Sequence, residues 1–202
     1  MKRVALINYG GGNELSMINT LDRIGADVIF SSDFQKIRNC SAVILHGVGT
    51  FAGTMEALDK SVGVDNLMNV LDSGVPFLGV CVGMQILTEG GLEFGNHEGL
   101  KALPGKTVPI KDAPMLPHVG WNNLKLTGTD CPILSGINSD MDFYFVHSYA
   151  VDLINKDLIK AECTYGSSFA AVVQKNNIFG VQFHPEKSHD PGNLVLRNFL
   201  ML

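Results

Sequence analysis

Between Pro76 and Gln85 the chain changes its backbone period without a linking loop. Pro76 to Val80 is a continuous apolar run, the pattern of a strand buried on both faces. Val82-Gly83-Met84-Gln85 follows at once, so the strand must pass directly into a helix. The turn falls on Cys81, and Gly79 and Gly83 keep side-chain bulk away from it, as a strained nucleophile elbow requires, here with Cys in place of Ser. A strand that is apolar all round must lie inside a sheet covered by helices on both sides.

The rest of the N-terminal half fits that demand. Val4 to Ile7 is β-rich, broken by Gly10-Gly11-Gly12, with Asn13 placed to cap a helix. Leu15, Ile18, Leu21 and Ile24 recur at helical spacing, and Gly25 ends that helix. Val28-Ile29-Phe30 and Ala42 to Leu45 read as the second and third strands. Asn66 to Leu71 reads as a helix closed by Gly74, with Pro76 just beyond. The second half changes character. Asp142 to Val146, Leu158 to Thr164, Phe169 to Val173 and Ile178 to Phe183 are short strands parted by turns. Asp190-Pro191 starts a last helix, with Pro expected at its first position. The predicted fold is α/β, an open and mostly parallel sheet with helices on both faces and an antiparallel portion in the C-terminal half. No linker or repeat interrupts residues 1–202, so one domain is expected.

Composition narrows the partners. A net charge of −5, with no basic stretch, argues against a nucleic-acid surface. No apolar run approaches the roughly 20 residues that span a bilayer. The start, Met1 to Asn8, runs into a Gly turn too soon for a signal peptide and reads as a strand. Cys40, Cys81, Cys131 and Cys163 are far apart without Cys-x-x-Cys spacing, which suggests neither zinc site nor disulfide framework and fits a reducing cytoplasm.

A thiol at a helix N-terminus is favoured as thiolate and sits beside backbone N–H groups that stabilise an oxyanion. Taken alone, a free Cys is more often a small buried hydrophobe. Val181 to Glu186 supplies what Cys81 lacks: His184 before Pro185, which keeps the segment extended, and Glu186 two residues on, projecting to the same side. A carboxylate there would orient the imidazole, as in a triad. His147 is a rival base. His46, His97, His118 and His189 read as structural or solvated. His46-Gly47-Val48-Gly49-Thr50-Phe51 follows the third strand at the sheet edge where open α/β folds build sites, and its glycines let N–H groups turn toward an oxyanion. Gly10 to Asn13 lacks the spacing of a phosphate-binding loop.

Together these segments resemble the class I, triad-type glutamine amidotransferases. The resemblance runs almost end to end, through Asn8 to Asn13, Gly47 to Phe51, Gly79 to Gln85, Pro117 to Asn122, Tyr144 to Tyr149 and Gly180 to Ser188. The first and fourth of these are similar to the glutaminase subunits of imidazole glycerol phosphate synthase. The resemblance implies that Cys81 attacks the glutamine amide, His184 shuttles protons and Glu186 orients it. It assigns oxyanion stabilisation to backbone N–H groups at Val48, Gly49 and Val82, and substrate binding to Gln85, Glu93, Ser148 and Tyr149. It also implies L-glutamine as substrate, no cofactor or metal, and a (β/α)₈-barrel cyclase partner that Asn13, His118 and Trp121 face. Two residues depart from the family's pattern: His46, where Pro is usual, and Glu14, where an apolar residue is usual. They leave open a related glutaminase feeding another synthase; the triad chemistry alone also allows a stand-alone hydrolase.

Overall fold

The computed structural model describes residues 2–128 and 130–202, so Met1 lies outside the described residues. The elements in order are β1 (Arg3–Ile7), α1 (Glu14–Arg23), β2 (Asp27–Ser31), α2 (Phe34–Arg38), β3 (Ala42–Gly47), α3 (Phe51–Ser61), α4 (Val64–Asp72), β4 (Phe77–Cys81) and α5 (Val82–Gln85). There follow β5 (Thr88–Gly91), β6 (His97–Glu98), β7 (Leu103–Pro109), β8 (His118–Asn123), β9 (Lys125–Leu126), β10 (Asp142–His147), β11 (Tyr149–Leu153), β12 (Ile159–Tyr165), β13 (Ser167–Lys175), β14 (Ile178–Val181) and α6 (His189–Leu200).

The main sheet has eight strands in the order β2-β1-β3-β4-β14-β13-β12-β9. From β2 to β14 every pairing is parallel, and from β14 to β9 every pairing is antiparallel. Two smaller sheets, β10-β8 and β11-β7-β5-β6, lie beside it. The inner parallel strands β1, β3, β4 and β14 are buried on both faces, unlike the edge strand β2, and the alternation of β1, β3 and β4 shows in the core. Val4, Leu6, Ala42, Ile44, Leu78 and Val80 pack into one cluster with Met17 and Leu21 of α1 and Val195, Leu196 and Phe199 of α6. Ala5, Ile7, Val43, Leu45 and Phe77 pack into the other, with Ile37, Phe51, Leu58, Leu67 and Leu71 of α2, α3 and α4. Fully burying each such large side chain contributes roughly 1.5–3 kcal/mol.

The expected α/β architecture is therefore present, with differences in detail. Asn13 stands at the head of α1, but its side chain makes no cap hydrogen bond; Glu14 in the first turn complements the helix dipole instead. Pro191 is not the first residue of its helix, because α6 already begins at His189. Helix α3 is an addition to the expected elements, although Thr50 caps it by accepting from the Gly53 N–H at 3.2 Å. Strand β3 runs on through His46 and Gly47, which have the composition of a turn. Strand β14 stops at Val181 rather than Phe183.

Candidate active site

Parallel pairing brings the pieces together. Gly47 at the end of β3 is the register partner of Cys81 at the end of β4. On the other side of β4, Val181 of β14 pairs with Val80, and His184 emerges just beyond. The site thus lies at the carboxyl ends of neighbouring parallel strands, where open α/β sheets place their crevices.

Cys81 is the turn itself, with φ 54° and ψ −115°. This is a left-handed, strained conformation for a residue with a side chain, and strain of this kind persists only where the surroundings fix it. Two close approaches do so. A Cβ on Gly83 would run into the Leu45 carbonyl oxygen, and one on Gly79 would meet the Gly83 carbonyl. The thiol does not stand in the open, as an elbow on the sequence pattern alone would have it. Cys81 is only 7% exposed and faces a cavity of about 370 Å³.

That cavity is lined by Val48, Gly49, Val82, Gln85, Glu93, Ser148, Tyr149 and His184, all expected site residues, and also by Pro117, Val146, His147 and Lys187. Gly49 has φ +124°, a conformation open to glycine, and turns the backbone after Val48 at the cavity wall. Gln85 is buried; its amide nitrogen donates to the Tyr149 carbonyl at 2.8 Å and to Gln182 Oε1 at 3.0 Å. Its amide oxygen is the group left for a ligand. Glu93 Oε2 accepts the Phe51 N–H at 2.7 Å and so holds the N-terminus of α3 beside the cavity.

His184 and Glu186 meet, but not along a straight strand. His184 is extended, with φ −96° and ψ 97°, and Pro185 to Lys187 form a 3₁₀ turn that folds the carboxylate back. Ser188 fixes this turn: its hydroxyl donates to the His184 carbonyl at 2.6 Å and accepts the Tyr144 N–H at 3.0 Å. The His184 N–H in turn donates to the Tyr144 carbonyl. His184 Nδ1 lies 2.9 Å from Glu186 Oε1, with both side chains fully buried. His184 Nε2 has no hydrogen-bond partner of ordinary geometry and is the nitrogen left for the thiol. Burial alone would lower the His184 pKa; the neighbouring Cys81 sulfur and Glu186 carboxylate outweigh it and push it up to about 10. Burial likewise works against the Glu186 charge, yet His184 and His46 hold its carboxyl well below the usual carboxylate range. Both shifts favour the charged forms of the pair.

His147 is placed otherwise. Its Nδ1 donates to the Tyr149 carbonyl at 2.8 Å, and its Nε2 lies 3.2 Å from His118 Nδ1. Burial, opposed by the Tyr149 contact, lowers its pKa to about 3, so it is a neutral wall of the cavity with both nitrogens occupied. Of the residues expected to face a partner, Asn13 and Trp121 are exposed, and Trp121 stacks on His189 at 5.1 Å. His118 is buried between Tyr165 and Phe145.

Two residues at the site escape the sequence reading. Gln182, fully buried, points its amide nitrogen at Cys81 Sγ over 3.6 Å. A polar residue closing an apolar run, two before His184, is the available signal. His46 Nε2 lies 3.1 Å from Glu186 Oε1. His46, His184 and Glu186 each place a potential ligand atom within 4.8 Å of the others. Two short N–H···O contacts join them, at 3.1 Å and 2.9 Å, as a hydrogen-bonded set.

A strained cysteine and an imidazole facing one cavity, with a buried carboxylate behind the imidazole, define a cysteine acyl-transfer site, and the chain belongs to the class I glutamine amidotransferases. The family model described as "Glutamine amidotransferase class-I" matches residues 5–202. Within that class it falls with the imidazole glycerol phosphate synthase subunit HisH. It is 41% identical to that subunit of Caldanaerobacter subterraneus subsp. tengcongensis, over 97% of this chain and 96% of the relative. Identity is 40% with that of Lactococcus lactis (99% and 98% covered) and 39% with that of Methanocaldococcus jannaschii (98% and 99%). Among solved structures, a glutamine amidotransferase aligns with a TM-score of 0.76 at 16% identity, covering 98% of this chain and 97% of the other. PurLQS from Thermotoga maritima aligns at 0.75 with 18% identity, covering 100% and 99%. These two share the fold.

Proposed function

We propose that this chain, acting as a single glutamine amidotransferase unit in the cytoplasm, hydrolyses L-glutamine and passes the ammonia to a (β/α)₈-barrel cyclase. That partner would form imidazole glycerol phosphate and AICAR in histidine biosynthesis. The observation that carries the chemistry is that Cys81 and His184 face one cavity, with Glu186 behind His184 at 2.9 Å. In this reading the Cys81 sulfur attacks the side-chain amide carbon. Backbone N–H groups at Val48, Gly49 and Val82 receive the oxyanion. His184 hands the thiol proton to the departing nitrogen, and ammonia leaves from a γ-glutamyl thioester. Water, deprotonated by His184, then releases glutamate and restores the thiol. Gln85, Ser148 and Tyr149 hold the amino-acid end, and Glu93 takes its ammonium. Asn13 and Trp121 would stand toward the cyclase, with the buried His118 behind them.

A strain lacking its own glutaminase subunit should grow without histidine when given this chain and a cyclase. The purified chain should hydrolyse glutamine faster once that cyclase is added. No growth, together with full turnover by the isolated chain, would favour a stand-alone hydrolase instead. Glu93 gives a narrower test. Glu93→Gln should raise KM for glutamine about tenfold, one ion pair's worth, and leave kcat within about threefold. Weaker capping of α3 should also cost about 0.5–1 kcal/mol, a fall of ~2–4 °C in Tm. An unchanged KM would remove Glu93 from substrate recognition.

A further inference from the structure

His46 is fully buried near the end of β3, where it is the register partner of Val80. It sits at the centre of the site without lining the cavity. Its Nε2 lies 3.1 Å from Glu186 Oε1, the same oxygen that His184 Nδ1 meets at 2.9 Å. The two imidazoles stand edge to face, with centroids 5.6 Å apart and planes at 71°. Glu186 Oε2 is buried without a partner, so the carboxylate is held through one oxygen by two ring nitrogens. A carboxylate oxygen only accepts, so both nitrogens carry protons. His46 is therefore protonated at Nε2.

The surroundings of the other nitrogen rule out simple packing. His46 Nδ1 is buried and has no hydrogen-bond partner. It lies 3.4 Å from where a Cβ would stand on Gly12, and Glu14 Oε1 approaches the same point to 3.4 Å. The Tyr9 hydroxyl stands close by Gly47, and Cys81 lies across the β3–β4 pair. A half-satisfied imidazole is a costly way to fill a core position that an aliphatic side chain could occupy. Its one bond goes to the carboxylate that serves His184.

We propose that His46 is a positioning residue of the catalytic centre, a second imidazole that holds Glu186 and shares its charge with His184. The proposal rests on the glutaminase reading of the cavity. Two effects follow from the geometry. Glu186 is fixed in the orientation that presents Oε1 to His184 Nδ1, which keeps His184 Nε2 aimed at the thiol. Because part of the carboxylate's charge is drawn to His46, less is available to hold a proton on His184. Loss of the His46 N–H would let Glu186 rotate and would strengthen the proton affinity of His184.

The test compares His46→Leu, His46→Gln and His46→Asn with the natural chain, each assayed for glutamine hydrolysis in complex with the cyclase. Cys81→Ala serves as a control. His46→Leu should lower kcat by about tenfold or more with KM within about twofold, because the residue acts on the triad and not on the ligand. The limb of the pH–rate profile that reports His184 should move to higher pH. His46→Gln, whose amide nitrogen can reach Glu186, should recover most of the rate and return the limb; His46→Asn, too short, should not. A folded His46→Leu protein with an unchanged kcat and an unmoved limb overturns the proposal. If the leucine variant does not fold, the Gln and Asn variants decide: equal rates overturn the proposal, and a fast Gln with a slow Asn upholds it. An active Cys81→Ala control would instead overturn the glutaminase reading itself.

Discussion

Cys81→Ala is expected to abolish glutamine hydrolysis, with kcat falling by about 10⁴-fold or more, the scale of removing a nucleophile from a triad. The fold should survive. Alanine has a Cβ like cysteine, so the strained φ of 54° is no worse for it. The sulfur's polar contacts are long, 3.6 Å to Gln182 Nε2 and 4.0 Å to the Val146 carbonyl. Removing one buried sulfur should cost only about 1 kcal/mol. Synthesis by the cyclase from added ammonium salts should continue at the natural rate, because the partner's chemistry needs ammonia and not the thiol. Retained glutaminase activity in the variant, measured as glutamate released, would sink the assignment of Cys81.

Gly83→Ala should have the largest effect on folding. The new methyl group would press into the Leu45 carbonyl oxygen, which belongs to β3 at the centre of the sheet. Neither partner is a flexible side chain, so the backbone of α5 must lift away from β3. Overpacking against a fixed backbone should cost about 4 kcal/mol or more, a large part of the 5–15 kcal/mol that typically holds a domain. For a chain of this size that is a fall of roughly 10 °C in Tm, accompanied by loss of soluble protein. Any folded fraction should be slow, because lifting α5 carries the Val82 N–H away from the Gly47–Gly49 strand end. A melting curve that matches the natural protein would show that α5 can shift without disturbing the elbow.

Much of this is readable in the chain. The strands β1, β3 and β4 carry apolar residues on both faces, and that pattern alone requires a covered parallel sheet. Cys81 can be found because the elbow is local: strand, tight turn and helix are consecutive, and glycines flank the turn. His184 and Glu186 can be found because Pro185 constrains the segment, although no local pattern announces the 3₁₀ turn that unites them. Helix α3 is obscure because its buried face is Phe51, Thr54 and Leu58, with a polar residue in the middle and Gly53 beside it. The short strands β5 and β6 carry glycine and charge in place of apolar alternation. His46 reads as structural for a different reason. Its partner Glu186 lies 140 positions away, and the two meet only because β3, β4 and β14 are consecutive in the sheet. No pattern within a window of sequence encodes that meeting.

The position of β14 also has a meaning in time. This strand comes near the end of the chain yet lies between β4 and β13, at the middle of the sheet. A nascent chain that has not yet reached Ile178 therefore holds its thiol on a strand with one bare edge, and the histidine that would arm it has not been made. Such an edge is open to pairing with other chains until β14 fills it. By inserting late, β14 closes the sheet and completes the catalytic centre in the same event. One strand thus serves two ends: the pairing that fills the gap in the sheet also sets His184 beside Cys81.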